Sequence, residues 1–304
     1  MPRNALKTAA LFMFAGTFTA LVTPFKNDRV DEAAFVRLIE GQIAGGVTGI
    51  VPVGTTGESP TLTHEEHIRV IALAVKSAAG RCKVIGGTGS NSTAEAVALT
   101  QEAERVGCDA SLQVAPYYNK PSQEGLVRHF TKIAEATKLP LILYSIPGRC
   151  GIEIAVETVA RLAKACATIV AIKEAGGSVE RVSALRAVLP ATFDILSGDD
   201  SLTLPFMSAG ACGVISVASN IVPAVVADMV RAALAGDFEE ARRLHFHWYA
   251  LFKDLFIEPN PVPAKHALAL RGEMTPDVRL PLCEMGDATR LKLETTLRKL
   301  QLIS

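Results

Sequence analysis

The sequence predicts an α/β protein built as a (β/α)8 TIM barrel with a C-terminal helical extension. Eight short apolar runs, rich in β-branched residues, recur along the chain, each followed by a polar or glycine-rich turn and then a segment of helical period. The runs are apolar on both faces, the pattern of parallel strands covered by helices. Eight such units is the count that closes a barrel. The competing doubly wound sheet lacks its marker, since no G-x-G-x-x-G follows the first run; "GGTGSNS" at 86–92 matches it only in part and follows the third.

The strands are expected within 17–25, 49–54, 83–89, 110–116, 141–147, 169–175, 193–198 and 213–219. Helical patterns fill 31–46, 63–80 and 92–107. Asp31, Thr63 with Glu66, Ser92 with Glu95, and Ser122 stand where N-caps belong. Gly45, Gly80 and Gly107 stand where helices close. From about residue 222 the strand signals stop, so the barrel domain is read as 16–235 and a helical domain as 236–304. Residues 1–15 carry Arg3, Lys7 and a short apolar stretch from Ala9. They are read as an unstructured extension rather than a signal peptide, because cleavage near Gly16 would cut into the first strand. Met13 is the alternative start.

Composition narrows the function. Of 304 residues 49% are hydrophobic and 20% charged, with 31 basic and 31 acidic side chains. That balance gives no electrostatic case for nucleic acid or an anionic membrane. The six cysteines are scattered with no C-x-x-C pair, which argues against a zinc ribbon and for a reducing, cytoplasmic setting.

In a barrel, residues at the C-terminal strand ends line the active site. Those ends carry Thr55, Thr56, Tyr117, Tyr118, Tyr144, Arg149, Lys173, Asp199 and Asp200, with neither a cysteine nor a metal-ligand spacing among them. Lys173 closes the run "IVAIK". A lysine alone there reads as a strand end reaching solvent. In an apolar barrel mouth the same amine is desolvated and partly neutral, able to condense with a ketone as a Schiff base. Such chemistry needs a proton shuttle, for which Tyr144 stands near, and an anion site, which "GTTGES" (54–59) offers through backbone N–H groups and threonine hydroxyls. Arg149 has a competing reading as a structural ion-pair partner, the aspartates as helix caps, and Glu58 and Glu174 as loop holders.

The motifs "GTTGES", "PYYNKPSQEG", "LYSIPGRCG", "IKEA" and "SGDD", in this order and with "EPNPVPAKHAL" at 258–268, resemble the pyruvate-dependent class I aldolase superfamily from about residue 17 to the C-terminus. They are most similar to its branch that condenses pyruvate with L-aspartate 4-semialdehyde on the diaminopimelate route to lysine. The resemblance implies that Lys173 forms the Schiff base, with no metal and no organic cofactor. It implies that Tyr144 relays protons through Thr55 and Tyr118, the last reaching into a neighbouring subunit of a homotetramer arranged as a dimer of dimers. Thr55 and Thr56 would hold the pyruvate carboxylate, Arg149 the semialdehyde carboxylate, and Gly198 and Ile215 would shape the pocket. Ser59, His64, His67, Asn91, Glu95 and Tyr117 match members of that branch inhibited by L-lysine, with Pro60 as a departure; Ser145, after Tyr144, departs from the Asn common in the superfamily. From spacing alone, His64 and His67 are a solvated first turn. A sister lyase that releases pyruvate from a sugar-derived 2-oxo acid is the alternative activity, and a catalytically inactive binding barrel the third.

Overall fold

The computed structural model describes residues 13–304. All eight expected runs form strands: β1 Gly16–Ala20, β2 Gly49–Val51, β3 Lys83–Gly87, β4 Ala110–Val114, β5 Leu141–Ser145, β6 Ile169–Glu174, β7 Asp194–Ser197 and β8 Gly213–Ser216. Every neighbouring pair is parallel, and β1 pairs with both β2 and β8, so the sheet closes into a barrel. A helix follows each strand: α1 Glu32–Ala44, α2 His64–Ala78, α3 Thr93–Val106, α4 Gln123–Glu135, α5 Val156–Ala165, α6 Val179–Val188, α7 Thr203–Ser208 and α8 Pro223–Leu234. Three more, α9 Phe238–Asp254, α10 Val262–Leu270 and α11 Asp287–Lys299, form the C-terminal extension.

The expected caps are made. Asp31, Ser92 and Ser122 each accept from the backbone N–H three residues on, and Thr63 and Glu66 form a reciprocal capping box. Two of the three helices close on the expected glycine, Gly45 and Gly107, and α2 closes on Ala79 with the left-handed Gly80 next. Gly107 takes the left-handed conformation at φ +92°, as a closing glycine should. At the end of α1, however, Gly45 stays right-handed and Gly46 turns left-handed; at the end of α2, Ala79 makes the turn one residue early.

Strand period two sorts the side chains into two cores. Leu141, Leu143, Ile169 and Ile172 point outward to the helices. Phe14, Phe18, Ile85, Leu112, Ile142, Tyr144, Ala171, Leu196 and Ile215 fill the barrel interior. Residues 1–12 of the expected N-terminal extension lie outside the described residues. Phe14, 1% exposed, already belongs to the interior cluster and its N–H donates to Asp194 Oδ2 at 2.6 Å, so packing begins before residue 16.

The C-terminal extension is pinned to the barrel mouth by a buried ion pair. Lys265 Nζ donates to Glu58 Oε1 and to the Asp277 carbonyl at 2.7 Å, and stands 4.2 Å from the centre of the Phe25 ring. Both charges are fully buried. Glu58 Oε2 also accepts from the Arg279 N–H. Removing one partner of such a pair strands the other, so Lys265→Met is expected to cost about 3–5 kcal/mol of stability in denaturant unfolding. The double change Glu58→Leu with Lys265→Met recovers most of that loss.

Candidate active site

Lys173 lies on the inward face of β6, two residues beyond Ala171 of the interior cluster. Tyr144 is its register partner on β5, directly across the ladder. The Lys173 amine stands 4.3 Å from the centre of the Tyr144 ring. Lys173 is 5% exposed and Tyr144 4%. Below them the barrel is apolar, so an ammonium there loses its hydration and gains little in return.

Burial brings the Lys173 amine down to about 8; the Asp200 carboxylate opposes that fall and the Arg149 guanidinium adds to it. Burial pushes the Tyr144 phenol up to about 12, against smaller opposite pulls from Arg149 and the Thr55 hydroxyl. One group can give up its proton near neutral pH while its neighbour keeps one to lend.

Gly198 packs against the nucleophile. A Cβ at this position would stand 3.0 Å from Lys173 Cε and 2.6 Å from Ala175 Cβ, so a larger residue would displace the amine. Ile215, fully buried on β8, contributes to the interior cluster.

The "GTTGES" loop is held by several contacts. Thr23 Oγ1 donates to the Gly57 carbonyl at 2.7 Å. A Cβ on Gly57 would meet the Val53 backbone at 2.9 Å. Val53 and Glu58, at φ +57° and +56°, bracket the loop in the left-handed region. That is a strained conformation, above all for a β-branched residue, and such strain persists where surrounding contacts over-determine it. Thr55 is half-buried and Thr56 buried at the mouth.

Arg149 sits on a short helical turn, Pro147–Cys150, exposed at the mouth. Its Nη2 lies 3.5 Å from the Asn260 carbonyl, and among the described residues no carboxylate pairs with it. The structural ion-pair reading therefore gives way to a cation facing the mouth.

Several expectations are corrected. Asp199 caps the turn after β7, accepting from the N–H groups of Ser201 and Leu202. Asp200 does not: fully buried, it accepts from Ser216 Oγ at 2.5 Å and from the N–H groups of Val217 and Ala218, tying the ends of β7 and β8 together. Burial pushes its carboxyl up to about 6. Glu174 holds the loop after β6 through the Gly176 N–H, but it also pairs with the buried Arg181 at 2.7 Å. Tyr118, expected to reach a neighbouring subunit, lies at φ +70° and is 91% exposed on this chain. Asn260, whose Nδ2 donates to Thr56 Oγ1 at 2.9 Å, was missed because it comes from a segment 204 residues away.

Beside the mouth, Ser59, His64, His67, Glu95 and Tyr117 line one cavity of about 140 Å³. His64 Nε2 meets Glu95 Oε1 at 2.5 Å, and Glu95 Oε2 also accepts from Ser90 Oγ. Hydrogen bonds from Ser90 and then His64 hold the Glu95 carboxyl below its usual range. His64 and His67 are thus not one solvated turn: His67 is buried, with Nε2 2.7 Å from the Gly87 carbonyl. Asn91 stands at the edge, donating to the Tyr117 carbonyl at 3.2 Å. Among the described residues no cluster of three or more His, Cys, Asp or Glu could hold a metal, and no helix is long and apolar enough to cross a membrane.

Comparison with known proteins agrees with this geometry. Residues 13–300 match the model of the Dihydrodipicolinate synthetase family. The chain is 50% identical over 291 residues to the 4-hydroxy-tetrahydrodipicolinate synthase of Endomicrobium trichonymphae, covering 96% of this chain and 100% of that one. The crystal structure of DHDPS from Cyanidioschyzon merolae with lysine bound is 42% identical, with a TM-score of 0.93 over 95% of this chain and 99% of that one. The chloride-inhibited dihydrodipicolinate synthase of Acinetobacter baumannii, complexed with pyruvate, is 43% identical with a TM-score of 0.93 over the same shares.

An amine brought down to about 8 is roughly one-tenth free at pH 7, and its reactivity should rise with pH and level off above about 9. Labelling of Lys173 by a small aldehyde and a reductant across pH measures this limb. Asp200→Asn removes a charge that holds the ammonium, so the limb should move to lower pH.

Proposed function

The chain belongs to the dihydrodipicolinate synthetase family, and we propose that its site runs that family's 4-hydroxy-tetrahydrodipicolinate synthase reaction through Lys173. The observation that carries the assignment is the buried, partly neutral Lys173 amine against the protonated Tyr144 phenol. The free amine adds to the C2 carbonyl of pyruvate, and loss of water leaves a protonated Schiff base on Nζ. The iminium draws electrons from C3, which loses a proton and becomes an enamine. The enamine carbon attacks the aldehyde of L-aspartate 4-semialdehyde, forming the new C–C bond as the aldehyde oxygen takes up a proton. The substrate's own amine then adds to C2, closes the ring and displaces Lys173. No metal or organic cofactor enters these steps.

Each proton needs a carrier that stays protonated between transfers. Tyr144 fits that role, with the Thr55 hydroxyl beside it. Tyr118 of a neighbouring copy would complete the relay, which suits an aromatic side chain left 91% exposed on a positive-φ turn and requires at least a dimer; the family resemblance extends that unit to a homotetramer, a dimer of dimers. Thr55 and Thr56 receive the pyruvate carboxylate. Arg149, with no carboxylate partner among the described residues, receives that of the semialdehyde; a polyhydroxylated substrate would call for neutral hydrogen-bonding groups there. The cytoplasm is the compartment this substrate pair and six free cysteines suit.

The cavity at His64 and Glu95 is the proposed site for L-lysine as inhibitor. Glu95 offers a carboxylate to an ammonium group, and Ser59, Asn91 and Tyr117 surround it with polar groups. A related enzyme with lysine bound supports the reading.

Initial rates with both substrates, followed through an added downstream reductase, should saturate in each and vanish in Lys173→Ala. Arg149→Ala should raise KM for the semialdehyde about ten- to a hundredfold, the worth of a charge-assisted hydrogen bond, with little change for pyruvate. L-lysine at millimolar concentration should slow wild type and not Glu95→Ala; an unaffected wild-type rate contradicts the regulatory site.

A further inference from the structure

Asn260 reaches the mouth from the stretch between α9 and α10 and touches both substrate-holding groups. Its Nδ2 donates to Thr56 Oγ1 at 2.9 Å, and its backbone carbonyl lies 3.5 Å from Arg149 Nη2. It is 6% exposed, and among the described residues its buried Oδ1 has no hydrogen-bond partner. Among the described residues Asn260 is the hydrogen-bond partner of the Thr56 hydroxyl.

A hydroxyl has one proton and can rotate it toward any acceptor. A carboxylate accepts and cannot donate, so Thr56 helps bind one only if its proton points that way. A donor on the lone-pair side of Oγ1 removes the competing rotor position. Five residues later Lys265 forms the buried pair with Glu58, so one segment holds the loop at two points.

We infer that Asn260 is a positioning residue that fixes the Thr56 hydroxyl proton toward the carboxylate of the 2-oxo acid substrate. The inference rests on the assignment of Thr56 to that carboxylate. Only the side chain is involved, so the contact of the Asn260 carbonyl with Arg149 survives substitution.

The test is a double-mutant cycle read by borohydride trapping of pyruvate on Lys173, with the half-saturating pyruvate concentration as the measured quantity. In the Thr56 background, Asn260→Ala should raise it about five- to tenfold, the loss of one oriented hydrogen bond. In a Thr56→Val background, where no hydroxyl remains to orient, the same change should alter it less than about twofold. KM for the semialdehyde should stay unchanged in both. Should Asn260→Ala not fold, the isosteric Asn260→Asp serves, because its added charge acts in both backgrounds and cancels in the cycle. Equal factors in the two backgrounds, or a parallel rise in both substrates' KM, would overturn the inference and make Asn260 a packing residue. A wild-type protein that traps no pyruvate at Lys173 would instead strike the function assigned to the site, and the inference with it.

Discussion

An ammonium ion buried on an apolar floor is stable only if something replaces its water, and at Lys173 the replacement is deliberately incomplete. The Tyr144 ring and the Asp200 carboxylate favour the charged amine. Burial works against it and is the larger effect, with the Arg149 guanidinium adding a smaller push in the same direction. The rest of the barrel mouth follows from that imbalance. Gly198 leaves the space that the lysine stem occupies. Asp200 is itself buried and anchored by three hydrogen bonds from the end of β8, so its charge stays at a fixed place.

The second constraint is the loop between β2 and α2. It holds two non-glycine residues at positive φ, and several remote contacts keep it there: Thr23 from the end of β1, Asn260 and Lys265 from the C-terminal extension. The extension is therefore more than an appendage to the barrel. It packs on the loop that presents Thr55 and Thr56, through Asn260 and Lys265. Because the ion pair is fully buried, its partners depend on each other, and the loop inherits that dependence.

What could be read from the sequence was local or periodic. Eight strands, the caps at Asp31, Thr63, Ser92 and Ser122, and the strand-end positions of Lys173 and Tyr144 all follow from spacing within a single βα unit. What could not be read depends on closure. Asp200 looked like a helix cap because two acidic residues before a helix usually are; only the neighbouring strand β8 brings the N–H groups that claim it. His67 looked like part of a solvated turn until α2 packed its ring on the Gly87 carbonyl. Asn260 stands in the quoted run "EPNPVPAKHAL", but its pairing with Thr56 could not be read, since a contact across 204 residues has no period.

The central claim is that Lys173 is the nucleophile, and peptide mapping tests it most directly. Wild-type protein reduced with borohydride in the presence of pyruvate, then digested and analysed by mass spectrometry, should carry one three-carbon adduct on the peptide that contains Lys173. Prior incubation with the semialdehyde and pyruvate together should diminish that adduct as turnover clears the Schiff base. An adduct on another lysine, or an unmodified Lys173 peptide from folded protein, would contradict the account.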